Sequence, residues 1–403
     1  MNRKLPFSAC LVLMFLAALL TFQIVKVQDQ IKYNKIVKEF TVKPLENPKL
    51  SEIEALVDEH YVKDIDNDKL TEAVAMGYVY GLGDQHAGYY TADIYRELQL
   101  SIYGELVGIG IRVTLEQIDD AGTERVVIFE VMENTPASEA GLEPGDVIYS
   151  VDGSLYTDLG YDETVDRMLG KEGTVLNFEV LRDDEILEFS ITRRHFDSQL
   201  VTYKMTDADE KIGYVRIYQF GYTTVNQFKN AVNSLIADGA EKLIFDVRNN
   251  PGGEYDTIKQ ILDFLLPEGK IVITRDKNGN EIIETSDASE IALPMVVLAN
   301  NSSASAAELF TAALMDHNKA YFIGTTTYGK GTIQTTFPLS DGSAVKFSTQ
   351  YYLPPSGESY DGVGIVPDME VKLSEEAEKH FYLIDESEDA QLCAAIKYLQ
   401  NEK

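Results

Sequence analysis

Hydrophobic and polar positions follow three successive patterns along the chain. Residues 51–100 keep roughly helical apolar spacing after a capping box, which predicts helices. Residues 104–195 carry short alternating apolar runs separated by glycine turns, which predicts a small β-rich module that includes a strand over 106–113 and a helix over 164–169. Residues 196–372 alternate apolar strand-like runs with amphipathic helical stretches, and a last helix is predicted over 389–399. The alternation favours an α/β domain with a largely parallel or mixed sheet.

The first 26 residues form a separate apolar segment. Arg3 and Lys4 precede a run from Pro6 to Val25 that is interrupted by three polar residues. The run is about long enough to span a bilayer, and no small-x-small cleavage pattern follows it. It predicts an uncleaved signal-anchor (1–26) and a polar stalk (27–50), with the rest of the chain outside the cytoplasm. A buried core helix is the alternative.

Composition excludes several classes of function. The chain has 403 residues and a net charge of −31, which argues against binding to nucleic acid or to an anionic membrane surface. One of the two cysteines, Cys10, lies in the N-terminal apolar run, so no disulfide framework is expected in the folded part. The five histidines show no metal-ligand spacing, so neither a metal nor a cofactor is predicted.

Ser305, Lys330 and Gln334 are the candidate catalytic residues. A serine hydroxyl is a weak nucleophile without an adjacent base, and a lysine can be that base when burial leaves it neutral. The spacing of four would place Lys330 and Gln334 on one face of a strand, with the glutamine orienting the lysine. The alternative is structural, because Ser305 and Glu308 also form a capping box and a lone lysine is usually solvated.

Backbone N–H groups near Ser305 could hold an oxyanion. The amphipathic helix 306–317 begins at Ala306, whose N–H group is one expected donor. The segment 248–253 follows a buried strand, and its glycines free N–H groups, so Gly252 is the expected second donor, with Gly253 next to it. A plain strand-to-helix turn and a phosphate cradle are alternatives, although no P-loop pattern follows.

A Ser-His-Asp triad is not expected. Asp316 and His317 lie at the far end of the helix, about 17 Å from Ser305 at 1.5 Å per residue. Ser305 also lacks the glycine-flanked elbow of many α/β hydrolases.

Two linked motifs in the β-rich module resemble a PDZ domain. They are Gly108-Ile109-Gly110-Ile111, which matches the carboxylate-binding loop of that family, and the segment 138–148. The resemblance implies a site that takes a peptide C-terminus as an added strand.

Three motifs resemble the C-terminal processing proteases of the S41 family. They are Ser-Ala-Ser-Ala-Ala-Glu (303–308), Tyr-Gly-Lys-Gly-Thr-Ile-Gln (328–334) and Arg-Asn-Asn-Pro-Gly-Gly (248–253), with a closing segment at 362–368. The resemblance implies that Ser305 is the nucleophile, Lys330 the general base and Gln334 its orienting partner. It also places Asp316 where some descriptions of the family have a third charge-relay residue.

The resemblance further implies an α/β protease core (crotonase/Clp-like) with an inserted PDZ domain and helical N- and C-terminal segments. We expect a membrane-anchored, extracytoplasmic serine endopeptidase that recognises protein C-termini and forms a homodimer. The alternatives are a catalytically silent PDZ scaffold and a crotonase-like acyl-CoA enzyme. The expected divisions are a signal-anchor (1–26), a stalk (27–50), an N-terminal helical segment (51–103), a PDZ domain (104–195), a protease core (196–372) and a helical tail (373–403).

Overall fold

A computed structural model describes residues 47–102, 107–117, 124–196, 198–209 and 211–401. The chain divides into two compact units, Met1–Leu70 and Thr71–Lys403. The expected signal-anchor and most of the stalk lie outside the described residues. Within the described ranges, no helix is both long and apolar enough to cross a membrane.

The helices begin and end at recognisable signals. The first starts after Asn47, whose side chain accepts hydrogen bonds from Lys49 N and Leu50 N. In chain order the helices are α1 (Pro48–His60), α2 (Asn67–Tyr80), α3 (Ala92–Ile102), α4 (Pro136–Ala140), α5 (Tyr156–Met168), α6 (Thr224–Ala237), α7 (Tyr255–Leu265), α8 (Ala306–Asp316), α9 (Glu375–Lys379) and α10 (Ala390–Asn401).

The strands form three sheets within the second unit. In chain order they are β1 (Gly88–Tyr90), β2 (Ile111–Gln117), β3 (Glu124–Val131), β4 (Val147–Val151), β5 (Ser154–Leu155), β6 (Val175–Arg182), β7 (Glu185–Thr192), β8 (Val201–Met205), β9 (Ile212–Ile217), β10 (Lys242–Asp246), β11 (Gly269–Asp276), β12 (Glu281–Ser286), β13 (Met295–Ala299), β14 (Ala320–Gly324), β15 (Thr332–Pro338), β16 (Ala344–Leu353) and β17 (Met369–Glu370).

A six-stranded sheet forms the centre of the α/β part, in the order β17-β14-β13-β10-β9-β8. All neighbours are parallel except the edge pair β8–β9. Alternate strand residues face opposite sides, so Phe245 packs with α6, α7 and α8, whereas Ile244 packs against α10. The predicted α/β arrangement is therefore confirmed, and the carboxyl ends of β10 and β13 lead into the two loops that build the candidate site.

The second sheet is antiparallel and was not predicted. It contains β1, β16, β11 and β12 in that order, with β15 also paired to β16. One of its strands, Gly88–Tyr90, falls inside the segment predicted to be helical, and it pairs with Ala344–Lys346. Aromatic residues fit an extended, half-buried strand, so this pairing overrides the weak local helix signal.

The third sheet has the order β2-β3-β4-β6-β7, with β5 on β4, and it encloses its own apolar core. The strand predicted over 106–113 is broken at Gly110, whose φ of 89° is incompatible with a regular strand, and β2 starts at Ile111. The predicted helix 164–169 is longer, spanning Tyr156–Met168 with a kink at Gly160. Phe129 of β3 stacks on Tyr382 at a centroid distance of 4.0 Å, which joins this module to the α/β part.

Candidate active site

Ser305 occupies the turn between β13 and the N-terminus of α8. Its backbone has φ 58° and ψ −119°, a region that non-glycine residues avoid. Two contacts fix the preceding loop: Ser303 Oγ donates to Val247 O at 2.7 Å, and Ala304 N donates to Asn250 O at 2.9 Å. The strained serine is thus held against the loop that follows β10.

Glu308 joins the serine turn to the lysine loop. Its carboxylate is fully buried and accepts hydrogen bonds from Ser305 N (2.9 Å), Thr327 Oγ1 (2.6 Å), Gly329 N (2.6 Å) and Lys330 N (2.8 Å). The sequence showed this residue only as part of a capping box, which the structure confirms. The long-range partners make Glu308 a positioning residue for both loops.

Lys330 lies in the loop before β15 rather than on the strand. Burial lowers the pKa of Lys330 below its usual range, and the nearby Lys346 cation lowers it further, while Asp84 and Glu308 act in the opposite direction. The Lys330 carbonyl accepts a hydrogen bond from the Tyr352 hydroxyl at 3.0 Å. A half-buried amine that releases its proton readily can serve as a general base.

Gln334 lies on β15, next to a register irregularity between Ile333 and Gln334. Its Nε2 donates to Thr332 O (3.1 Å), Thr332 Oγ1 (3.0 Å) and Ser348 Oγ (3.1 Å). The regular strand predicted for Lys330 and Gln334 is therefore wrong, because Lys330 precedes the strand and a bulge separates them. Both side chains nevertheless line the same cleft.

The glycine loop after β10 approaches Ser305 closely. A Cβ added to Gly252 would lie 2.7 Å from Ser305 Cβ and 2.9 Å from Ala306 N. The Gly252 N–H donates to Asn250 Oδ1 at 2.8 Å. Among the described residues, the Gly253 and Ala306 N–H groups have no assigned acceptor. These two N–H groups are therefore available to a ligand.

A buried ion network holds this loop from behind. The Arg248 guanidinium pairs with Asp246 at 2.6 Å and with Asp389 at 2.7 Å, and it donates to Gln391 Oε1 at 2.9 Å. Burial alone would raise the pKa of Asp246, but Arg248 and Arg216 outweigh it and lower that pKa to about 2. The pair stays ionised at neutral pH and fixes the start of the loop.

A cleft of about 400 Å³ brings the candidate residues together. Its lining includes Ser305, Lys330, Gln334, Gly252, Gly253 and Ala306, together with Tyr255 and Tyr352. Asp316 is not part of the lining: its Oδ2 accepts from Ser356 N at 2.8 Å, at the other end of α8. His317 likewise contacts Lys270 O, at 2.7 Å.

The PDZ-like loop Gly108–Ile111 lies at the start of β2. Gly108 forms an isolated antiparallel β-bridge with Arg194. A Cβ on Gly110 would lie 2.3 Å from Thr135 Cβ, so the tight turn requires glycine at position 110. β2 is an outer strand of its sheet, which leaves one edge for an added strand. Over the same described ranges, no group of three or more His, Cys, Asp or Glu side chains could hold a metal ion.

Comparison with known proteins agrees with this arrangement. The profile of peptidase family S41 matches residues 211–371, and a PDZ domain profile matches residues 107–192. The chain is 33% identical to a carboxy-terminal-processing protease of Bartonella bacilliformis, over 76% of this chain and 71% of that protein. It is 34% identical to a "Probable CtpA-like serine protease" of Staphylococcus haemolyticus, over 73% of this chain and 58% of that protein.

Among solved structures, the photosystem II D1 C-terminal processing protease is similar, with a TM-score of 0.53 and 25% identity. The match covers 83% of this chain and 90% of that one. The family profile, the Bartonella relative and the shared fold agree, and the chain belongs to the carboxy-terminal-processing proteases of peptidase family S41.

Proposed function

We propose that this protein is a serine endopeptidase that cleaves peptide bonds with a Ser305–Lys330 dyad oriented by Gln334. One observation carries the proposal: the three side chains line a single cleft, and burial lowers the pKa of the lysine that faces it. A solvated surface lysine would keep its ordinary pKa and its proton.

In the proposed reaction, neutral Lys330 takes the proton from Ser305 Oγ while that oxygen attacks the substrate carbonyl carbon. The carbonyl oxygen becomes an oxyanion, which the Ala306 N–H stabilises together with an N–H of the glycine loop. Gly253 N–H is the donor that is available in this conformation, whereas Gly252 N–H would first have to leave Asn250 Oδ1. Protonated Lys330 then gives its proton to the leaving amine.

The second half of the reaction repeats the first with water as the nucleophile. Lys330 accepts a proton from water, the hydroxide attacks the acyl-Ser305 ester, and the proton returns to Ser305 Oγ as the peptide acid leaves. The side chain of Asp316 takes no part in these steps, because it lies away from the cleft and bonds to Ser356 N.

The PDZ module would select the substrate by its C-terminus. Support comes from the glycine turn at Gly108–Ile111 and from the outer position of β2, which together offer backbone groups to an added strand. Within this proposal the module spans 104–195 and the protease core 196–372. The signal-anchor over 1–26 would keep the catalytic part at the extracytoplasmic face of a membrane.

Self-association is part of the same proposal. On α1, Leu50, Ile53 and Leu56 are all exposed, and no residue of this helix is buried. Apolar side chains at helical spacing that stay exposed among the described residues are suited to a second copy. A homodimer would bury them.

The test is turnover of an unfolded protein substrate by the wild type, Ser305→Ala and Lys330→Ala, each shown to be folded by circular dichroism. Both variants are expected to lose activity by several orders of magnitude. Ser302→Ala is the matched control, because this serine of the same loop is exposed, its hydroxyl donates to the neighbouring Asn301 Oδ1, and its backbone bond to Asn300 Oδ1 is kept in the variant. Wild-type turnover in either dyad variant would refute the proposal.

Covalent labelling separates the enzyme from the alternative, a catalytically silent PDZ scaffold. A serine-directed phosphonate is expected to label Ser305 in the wild type and in Ser302→Ala, and to leave Ser305→Ala unlabelled. A folded wild type that binds C-terminal peptides but takes up no phosphonate would be the scaffold.

A further inference from the structure

The loop between α2 and β1 contacts the strand behind the proposed dyad. We propose that Asp84 in this loop is a positioning residue that holds Ser348 in place and thereby fixes the amide of Gln334 toward Lys330. The proposal rests on the proposed function, since it assigns a task to Gln334 in that reaction.

The hydrogen bonds of Gln334 determine which end of its amide can serve the lysine. Three oxygen atoms surround Nε2 at 3.0–3.1 Å, two of Thr332 and one of Ser348. The Thr332 carbonyl oxygen can only accept, and the Ser348 hydroxyl already donates to Thr332 Oγ1, so the amide nitrogen belongs in that position. Among the described residues Oε1 has no assigned donor, so it is free to accept from Nζ of Lys330, which lines the same cleft.

The three oxygen atoms around Nε2 form a cage to which two strands contribute: Thr332 belongs to β15, as Gln334 does, whereas Ser348 belongs to β16. Its Oγ contacts Gln334 Nε2 and also donates to Thr332 Oγ1 at 3.3 Å. A hydroxyl can rotate and a strand can shift, so the cage holds the amide only while the backbone of Ser348 stays in register. The bulge between Ile333 and Gln334 loosens that register at this point.

Asp84 supplies the missing restraint. Its Oδ2 accepts from Ser348 N at 2.8 Å across 264 positions of sequence, and its Oδ1 accepts from His86 N at 2.9 Å. Burial alone would raise the pKa of Asp84, but the amide hydrogen bonds from Ser348 and His86, together with the side chains of these two residues, lower it overall, so the carboxylate stays charged at neutral pH. The strand that follows, β1, pairs with β16 just ahead of Ser348 and carries the loop to this place.

Two simpler roles make different predictions. Asp84 could act only as a charge, because it favours protonated Lys330 against the effect of Lys346. Its removal would then lower the pKa of Lys330 and leave the maximal rate intact. It could also act only as an anchor for the loop, in which case its removal would reduce the amount of folded enzyme without changing the rate per active site.

The experiment compares Asp84→Asn with Asp341→Asn in the full chain. Asp341 makes the same kind of contacts in the turn between β15 and β16, accepting from Ser343 N at 3.0 Å and from Ser343 Oγ at 2.6 Å. For each variant, kcat and KM are measured across pH on an unfolded protein substrate, active sites are counted by phosphonate labelling, and thermal unfolding is recorded.

We expect Asp84→Asn to lower kcat per labelled site by about 10- to 100-fold, the range expected for a misplaced reacting group. KM and the PDZ affinity for a C-terminal peptide should be unchanged, and the loss should persist at alkaline pH, where Lys330 is neutral in both proteins. Asp341→Asn should keep the wild-type kcat even if it lowers the melting temperature.

A double-mutant cycle tests the route through Ser348. Ser348→Ala removes the contact with Gln334 Nε2 and should lower kcat, and adding Asp84→Asn to it should cost little more. Additive losses, a deficit that vanishes at alkaline pH, or an unchanged kcat per labelled site would each overturn the proposal. These outcomes differ from failure of the proposed function, in which the wild type itself takes up no phosphonate and cleaves nothing.

Discussion

Replacing Glu308 by glutamine tests the link between the two loops of the candidate site. The side chain keeps its size, but one of its two oxygens becomes an NH2 group. If that group replaces Oε2, the N–H groups of Ser305 and Lys330 lose their acceptor and face another donor. If it replaces Oε1, Thr327 and Gly329 lose theirs.

Either orientation breaks two charge-assisted hydrogen bonds in a fully buried place. Each is worth about 1.5–3 kcal/mol, so the folded state should lose on the order of 3–6 kcal/mol. That is a large part of an ordinary domain stability of roughly 5–15 kcal/mol. At a few degrees per kcal/mol, the melting temperature should fall by on the order of 10 °C.

Activity should fall further than stability alone explains. A shift of about 1 Å between reacting groups can cost about 100-fold, so kcat/KM of the folded Glu308→Gln variant should drop by at least that factor. The assay is kcat/KM on an unfolded protein substrate at 20 °C, normalised to folded protein, next to a thermal unfolding curve.

Thr327→Val is the matched control. It removes one of the four donors to Glu308 and leaves the two that hold Ser305 and Lys330. It should lose stability and keep most of its activity. The reasoning is refuted if Thr327→Val, at equal loss of stability, loses as much activity as Glu308→Gln.

Two further predictions follow from the cleft. Removing the Lys346 charge in Lys346→Met should raise the pKa of Lys330, so the acid limb of the profile of kcat/KM against pH should move to higher pH. Lys346→Arg keeps the charge and should leave the acid limb in place. A move of the limb to lower pH in Lys346→Met would contradict the electrostatic account. Gly252→Ala would put a methyl group 2.7 Å from Ser305 Cβ and 2.9 Å from Ala306 N, so it should displace the serine and obstruct the Ala306 oxyanion donor, at a cost of about 100- to 1,000-fold in kcat. Gly239→Ala is its control, since it has a similar φ (104° against 99°) with no atom within 4 Å of the added carbon, and equal losses of kcat in the two alanine variants would reject the steric argument.

The inner strands β10 and β13 of the central sheet were predictable because they are buried on both faces. Every residue of β13 is buried, and such a strand appears in sequence as a continuous apolar run. In contrast, β15 is half-buried along nearly its whole length and mixes threonine with apolar residues, so it carries no periodic signal. The three-residue β1 is too short for any pattern, and only its partner β16 makes it a strand.

The candidate residues were predictable where short sequence motifs mark them. Ser305 stands at a helix start, and Lys330 is flanked by glycines, so both are visible in short motifs. The tasks of Glu308 and Asp84 depend on partners far along the chain, which no spacing rule reveals. The hydrogen bond from Gly252 N–H to Asn250 Oδ1 could not be predicted either, because it depends on the backbone conformation of the turn.

The pairing of Arg248 with Asp389 joins positions 141 residues apart and has a consequence for biosynthesis. The chain leaves the ribosome N-terminus first. Arg248 therefore cannot pair with Asp389 until most of the polypeptide has emerged. Until then Asp246 alone balances the guanidinium and the hydrogen bonds to Asp389 and Gln391 are missing, so the segment proposed to form the oxyanion cradle is held less firmly. Nascent chains, and chains cut short ahead of Asp389, should therefore be unable to digest themselves or their neighbours, and proteolytic competence should arise only after synthesis is nearly complete.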